Sequence, residues 1–414
     1  MRIRNVVFSS ILCIFILGPV GLYIAQNELE LNLPSWLTTE NVMYLEGTTN
    51  TSDISDYLSR EAFLNGQFQD AFSVSLGNYI PAKTNALLSS AALQRFAITV
   101  SNSLFRWDCY PTYYGEVSAL YVPEGNLLVA WPIQNAKEYQ KGTESFCDRI
   151  EGFANSHPDK TVCIVVPDYS GMSVLNPATK YLSNCWMTYV CRDILVNRLE
   201  DLPNVYISCE LYGGYQDYTN NFYRTDHHWN GYGALEAYTA LSEDLTLKPI
   251  EATSEVEGLS QLKENGSLSR SGLMLLNQEG REPAFDFGSL AVTEGEASCD
   301  ALDKDGVDVA KEQGALFEFG FYGAWYGGSD PIVIANKDDE SGHNALVIGD
   351  SYAQAFRWLI AESYQNTYAD INRKPRDDET LSSRMDEINS DVVYFVLYAN
   401  KFASLYEDNE GYLK

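Results

Sequence analysis

Residues 346–351 read Leu-Val-Ile-Gly-Asp-Ser, and Tyr352, Ala353 and a helix-like stretch follow directly. A short apolar run that ends in glycine and opens onto a helix predicts a strand–turn–helix step. Gly349 allows the tight turn and Ser351 falls near a helix N-terminus, where backbone amides can stabilise an oxyanion. Asp350 and Ser351 would serve equally well as an ordinary helix cap, since both types are favoured there.

Strand-like runs recur outward from that step, at 127–131, 161–166, 205–208, 331–334, 345–348 and 391–398, with helix-like stretches at 234–241, 353–363 and 380–388. This alternation predicts an α/β fold with a mainly parallel sheet covered by helices, and a site at the C-terminal ends of the strands. Residues 26–60 are polar, with Pro34 and a Gly-Thr-Thr-Asn-Thr-Ser run at 47–52, and read as a stalk. From 59 to 103 the pattern turns helical, with Leu87, Leu88, Leu93 and Phe96 among its apolar positions. The expected domains are therefore an N-terminal segment at 1–25, a lead-in at 26–104 and an α/β domain at 105–414. Residues 254–314, acidic and rich in Ser and Gly, are expected to be an insertion or small subdomain.

The 414-residue chain is 45% hydrophobic, enough for a substantial core, and carries a net charge of −29. That charge argues against nucleic acid and anionic membrane surfaces as partners, because both need cationic faces. Residues 5–25 are almost wholly apolar, flanked by Arg2 and Arg4 on one side and Glu28 and Glu30 on the other. Such a segment is long enough to span a bilayer and orients the remainder outward. A cleaved signal peptide is the rival reading, but Tyr23 stands where cleavage after Ala25 wants a small residue, which favours a retained anchor. Cys185 and Cys191 are the pair expected to be bridged. No CxxC pair exists to suggest structural zinc.

Residues 225–230 read Thr-Asp-His-His-Trp-Asn, and the chain has only four histidines, His157, His227, His228 and His343. A serine nucleophile needs a base, and the base needs a carboxylate to fix its tautomer. Asp226, two residues before His228, can hold that ring across a tight turn, and Gly231 and Gly233 then lead into the 234–241 helix. Adjacent loop histidines and a metal site are the competing readings, although one carboxylate and two imidazoles are few ligands. Asp303, Asp305, Gly306 and Glu312 show partial calcium-loop spacing, but Ala301 occupies the first ligand position, so no metal is expected. Of the aromatic clusters at 110–114, 212–215 and 321–326, the Gly-flanked Tyr212 and Tyr326 are candidates to stack on sugar rings. His157 and His343 sit in polar turns and read as exposed.

Strand–Gly-Asp-Ser–helix, with Asp-x-His before a glycine and a helix, resembles the SGNH (GDSL-type) hydrolase superfamily. There the serine ordinarily precedes the Asp/His block, and here the order is reversed. The reversal, with Thr-Asp-x-His-Trp and an apolar N-terminus, resembles the alginate O-acetylation proteins and the bacterial surface family named for Asp-His-His-Trp. The resemblance spans roughly 105–414 and is strongest at 222–241 and 345–400. It implies a permuted three-layer SGNH-type fold with Ser351 as nucleophile, His228 as base and Asp226 as its orienting carboxylate. It also implies Asn400 as an oxyanion donor, where the superfamily reads Gly-x-Asn-Asp and this chain reads Tyr-Ala-Asn-Lys. Gly349, Asp350, His227, Trp229 and Tyr326 join Asn400 as oxyanion or substrate-binding candidates. The superfamily's glycine block is not visible at 368–373.

The implied activity is cofactor-free, serine-dependent acetyl transfer to a polysaccharide at the bacterial cell surface, with a multi-pass membrane O-acyltransferase as acyl supplier. An esterase or deacetylase would use the same residues with water as acceptor. A polysaccharide-binding protein without turnover is the third reading, favoured by the degenerate asparagine and glycine blocks.

Overall fold

The strand expected at 345–348 runs over Asn344–Gly349 and lies inside a seven-stranded sheet. In chain order the strands are β1 (Thr161–Val165), β2 (Val205–Ser208), β3 (Leu290–Glu294), β4 (Ile332–Asn336), β5 (Asn344–Gly349), β6 (Asn366–Ile371) and β7 (Ser390–Val396). Their spatial order is β2-β1-β7-β5-β6-β4-β3. The run from β2 to β6 is parallel throughout, and β4 and β3 close one edge antiparallel. Gly349 pairs with Val396 on one side and Ile371 on the other, so three strand C-termini end side by side.

The computed structural model describes residues 57–69, 83–105, 109–112, 119–122, 127–130, 136–167, 187–209, 219–256, 266–272, 282–295, 330–376, 378–398 and 401–403, with single residues or short pieces elsewhere, Tyr322 and Tyr326 among them. Residues 1–106, 111–117 and 270–274 form one compact unit, and the rest of the chain a second that holds the sheet. The first contains a helix over Lys83–Phe105. Among the described residues no helix is long and apolar enough to cross a membrane, and the expected anchor at 5–25 lies almost wholly outside them. Tyr212, Asn400 and the calcium-loop candidates Asp303, Asp305, Gly306 and Glu312 also lie outside.

Central parallel strands are ordinarily apolar on both sides, and β1, β5 and β7 are. Ala345 and Val347 of β5 face one core, built with helices α3 (Gly231–Ser242) and α4 (Ala353–Ala361). Leu346 and Ile348 face the other, built with α1 (Ala136–Ser156), α2 (Met187–Leu199) and α5 (Leu381–Glu387). Helices therefore cover both faces of the sheet. The buried positions of α1, namely Phe146, Cys147, Ile150, Phe153 and Ala154, follow one helical face.

Three features depart from expectation. β3 comes from the stretch read as an insertion, and it forms the sheet edge with exposed Thr293 and Glu294. β6 reads Asn-Thr-Tyr-Ala-Asp-Ile, too polar to signal a buried strand. Its Asp370 is neutralised from a distance by a two-pronged Arg384 contact, both at 3.0 Å. Cys191, expected to be bridged to Cys185, is a buried free thiol on α2, packed into the core with Leu195 and Leu199.

Gly349 is demanded by space. A Cβ there would lie 2.5 Å from the Val396 carbonyl oxygen and 2.6 Å from the Ala353 Cβ. Gly349→Ala should cost about 1–3 kcal/mol of stability by forcing β5 from β7 or from the following helix. Urea denaturation of the two proteins checks this, and an unchanged midpoint would mean that the close approach relaxes without cost.

Candidate active site

The Asp-His-His-Trp segment lies in a narrow loop closed by a bridge between Phe222 and Trp229. The Asn230 amide donates to the Asn221 carbonyl at 2.8 Å, and the Tyr223 amide to the His228 carbonyl at 3.3 Å. Asn230 then ends the loop by capping α3, its side chain accepting from the amides of Tyr232 and Gly233. Below the loop, the Thr225 carbonyl accepts from the amides of Leu268 and Ser269, both at 3.1 Å.

Asp226, His228 and Ser351 meet in one line. His228 Nδ1 lies 2.5 Å from Asp226 Oδ1 and its Nε2 lies 2.6 Å from Ser351 Oγ, across 123 residues of chain. The carboxylate is held on both oxygens, Oδ1 accepting also from the His228 amide at 3.0 Å and Oδ2 from the Ser267 amide at 2.7 Å. Burial pushes Asp226 upward, but His228, His227 and the Ser267 amide together outweigh it and hold the group well below the usual carboxylate range. It is thus an ionised partner for the ring at neutral pH. A hydroxyl, an imidazole and a carboxylate so connected can transfer a proton from oxygen to nitrogen as the oxygen attacks.

His227 is turned toward Ser267 and Asp226 rather than Ser351, its Nδ1 3.4 Å from Asp226 Oδ1. Its Nδ1 lies 2.6 Å from Ser267 Oγ, and its ring lies against His228 with centroids 3.9 Å apart. Asp226, His227 and His228 together bring three potential ligand atoms within 4.8 Å of one another. Both ring nitrogens of His228 already face Asp226 and Ser351, so an ion there would have to break that line.

Trp229 and Tyr326, expected as substrate contacts, are buried at 0% and 2% exposure. The Trp229 indole N–H donates to the Tyr352 carbonyl at 3.0 Å and to the Tyr322 hydroxyl at 3.2 Å, fastening the histidine loop to the serine turn. The Tyr352 hydroxyl returns a bond to the His227 carbonyl. Asp350 is likewise turned inward, where its carboxyl accepts from the amides of Tyr352 at 2.9 Å and Tyr398 at 3.4 Å. Its own amide donates to the Val396 carbonyl. Burial pushes Asp350 up to about 6.

Three residues of this site carried no local signal. Ser267 and Glu282 fall in the stretch read as an insertion, and Tyr322 was one of an undifferentiated aromatic cluster. Glu282 is fully buried and clamps both flanks of the histidine loop, accepting from the Tyr223 hydroxyl before it and, at 2.9 Å, the Gly231 amide after it. The Tyr326 hydroxyl donates to it at 2.7 Å. A Cβ on Gly231 would lie 2.7 Å from that hydroxyl, which is why a glycine follows Asn230.

No family model and no curated protein sequence matches the chain. Among solved structures, a DHHW family protein from Eubacterium siraeum is similar at 18% identity and a TM-score of 0.50, over 71% of this chain and 94% of that one. PatB1 from Bacillus cereus, solved with a sulfonyl adduct, is 19% identical over 67% and 93% of the two chains, with a TM-score of 0.48. The O-acetyltransferase domain of Pseudomonas putida AlgJ is 12% identical over 70% and 91%, with a TM-score of 0.33. The first of these shows a shared fold, a structural counterpart to the Asp-His-His-Trp resemblance in the sequence.

Burial raises Glu282 to about 8 against an ordinary 4.5. The folded protein therefore keeps it protonated where the unfolded chain has released the proton. Its stabilising contribution is complete below pH 4.5 and is lost as pH rises through about 8. The melting-temperature advantage of the wild type over Glu282→Gln should be largest near the acid end of that window and shrink toward its top. An advantage that stays level or grows in thermal scans would show the group is ionised in the fold.

Proposed function

We propose that this chain is a cell-surface acyl-transfer enzyme that moves an acetyl group through Ser351 to a hydroxyl of a polysaccharide. The observation that carries the reading is the continuous line from Asp226 through His228 to Ser351, with contacts of 2.5 and 2.6 Å. Ser351 is partly exposed, whereas Asp226 and His228 are buried. An incoming ester can thus reach the hydroxyl while the base and its carboxylate stay dry. The permuted three-layer SGNH arrangement belongs to the same reading, as does display outside the membrane on the apolar segment at 5–25.

His228 Nε2 takes the Ser351 proton as Oγ bonds to the acetyl carbonyl carbon, and the carbonyl π pair moves onto oxygen. When that oxyanion collapses, the donor's alkoxy group departs with the proton from His228, leaving acetyl-Ser351. A sugar hydroxyl then attacks the acetyl carbon and gives its proton to His228. The second collapse expels Ser351 Oγ, which recovers the proton. Asp226 stabilises the imidazolium in both halves and stays ionised. Water in place of the sugar would give ester hydrolysis by the same steps. Asn400 is the proposed side-chain donor to the oxyanion, and a multi-pass membrane O-acyltransferase is the proposed source of the acetyl group.

A fluorophosphonate probe tests the reading directly, because only an activated serine is labelled. Wild-type protein should be labelled at Ser351, and Ser351→Ala and His228→Ala should not. Failure to label folded wild-type protein would leave a polysaccharide-binding protein as the better description. On a simple acetyl ester, His228→Ala should lower the rate on the order of 10⁴-fold, and His227→Ala should keep most of it. The double variant should be little worse than His228→Ala, since members of one catalytic unit are not additive. If His227→Ala is the dead variant, the base has been misassigned. Asn400→Ala should lower the rate by about 10²–10³. Near-normal hydrolysis and transfer would give Asn400 another job.

A further inference from the structure

The edges of the His228 ring are occupied by Asp226 and Ser351, and its two faces are occupied as well. On one face lies Tyr322, with ring centroids 4.1 Å apart and planes inclined by only 4°. On the other lies His227, at 3.9 Å and 36°. Tyr322 comes from a segment remote in sequence from both motifs, and its ring is fixed by its own hydroxyl. That hydroxyl donates to the Tyr352 carbonyl at 3.1 Å and accepts from the Trp229 indole at 3.2 Å and the Ala355 amide at 3.3 Å. The side chain is buried at 2% exposure, and burial keeps its phenol well above the ordinary range, so the ring stays neutral.

We propose that Tyr322 is a positioning residue of the acyl-transfer site, whose ring face holds His228 in line between Asp226 and Ser351 and stabilises the imidazolium formed when His228 takes the serine proton. This rests on the reading of Ser351 as nucleophile and His228 as base. An aromatic face attracts a cation lying over it, most strongly where water is excluded. The neutral imidazole present before proton transfer gains little from that attraction and the imidazolium gains most of it. The contact therefore favours the charged state along the reaction, which is the condition for acceleration. Because three hydrogen bonds fix the ring in advance, no reorganisation accompanies the transfer. The other groups facing His228 are Asp226 at Nδ1, His227 against its second face, the Tyr352 ring at 5.0 Å and 52°, and Asp350 behind the serine turn. All four are unchanged by substitution at 322.

The test uses the full chain with residue 322 as tyrosine, as Tyr322→Phe, and as phenylalanines bearing two and three ring fluorines. The last two keep the shape of the ring while weakening its face. In a Ser351→Ala background, where no turnover is needed, the His228 imidazole is titrated by NMR. Tyr322→Phe should titrate close to the parent, and successive fluorination should lower the titration midpoint by about one pH unit in all, a tenfold change. A midpoint unmoved across the series overturns the proposal, as does a full shift in Tyr322→Phe alone, which would assign the effect to the hydroxyl. With Ser351 restored, kcat/KM on an acetyl ester should fall about tenfold across the same series, its acid limb moving to lower pH, with KM steady. Normal kcat/KM throughout would overturn the proposal and leave the acyl-transfer reading intact. A falling titration in a protein that turns over no ester would instead overturn the acyl-transfer reading, and with it the catalytic sense of the contact.

Discussion

Two bonds between the histidine loop and the serine turn set the geometry on which the site depends. Trp229 donates its indole N–H to the Tyr352 carbonyl, and Tyr352 returns its hydroxyl to the His227 carbonyl. Each segment thus grips the residue next to the other's member of the His228–Ser351 pair. The contact between His228 and Ser351 is 2.6 Å long and spans 123 residues of sequence. A displacement of about an ångström would be expected to reduce a positioned reaction by orders of magnitude. Trp229 and Tyr352 are fully buried, so the indole bond lies where water does not compete for it. The tryptophan of the motif is accordingly a fastener beneath the site, and this explains why so large a side chain follows the histidines without meeting solvent.

Three buried carboxyl groups lie around this joint, and their surroundings send them in different directions. Asp226 has two imidazoles against Oδ1 and an amide on its second oxygen, and stays ionised despite burial. Glu282 has only neutral donors, two phenols and an amide, and burial wins, raising it to about 8. Asp350 falls between the two. Its two amide donors and the charges of His228 and Lys401 offset part of the burial, leaving it at about 6. Only Asp226, in line with His228, has partners enough to hold it below the ordinary carboxylate range. The other two shape the backbone around it, Glu282 at the flanks of the histidine loop and Asp350 within the serine turn.

What could be read in the sequence was local. The Gly-Asp-Ser step was legible because apolar run, glycine and helix adjoin, and Asp226 with His228 because the pair fits one tight turn. The α/β class followed from alternation that the parallel sheet bears out. Hidden features depend on partners far along the chain. β6 is polar, and is admitted to the sheet because Arg384 neutralises Asp370. β3 lies in an acidic run because an edge strand needs only one apolar face. Tyr322 and Tyr326 stood in one cluster, from which only the Gly-flanked Tyr326 was singled out, as a candidate to stack on a sugar. One stacks on His228 and the other bonds to Glu282, a division made by tertiary packing alone.

In the stretch 368–373, where no glycine block is visible, an asparagine makes the turn after β6. Asn372, just past the end of β6, has a φ of 51°, a left-handed conformation that asparagine tolerates better than most residues with a side chain. The backbone bend a glycine would make is therefore made. Its amide, however, donates to the Gly349 carbonyl at 3.1 Å and is spent on holding β5 to the turn after β6. The Asp350 amide is spent on Val396 and the Tyr352 amide on the Asp350 carboxyl. Three of the amides crowding the strand ends thus serve the turn itself. In the acyl-transfer reading these three are not the oxyanion's donors, and the amide of Ser351 and the side chain proposed at Asn400 are the candidates. In that reading the positive partner, the imidazolium of His228, lies between Asp226 and the face of Tyr322.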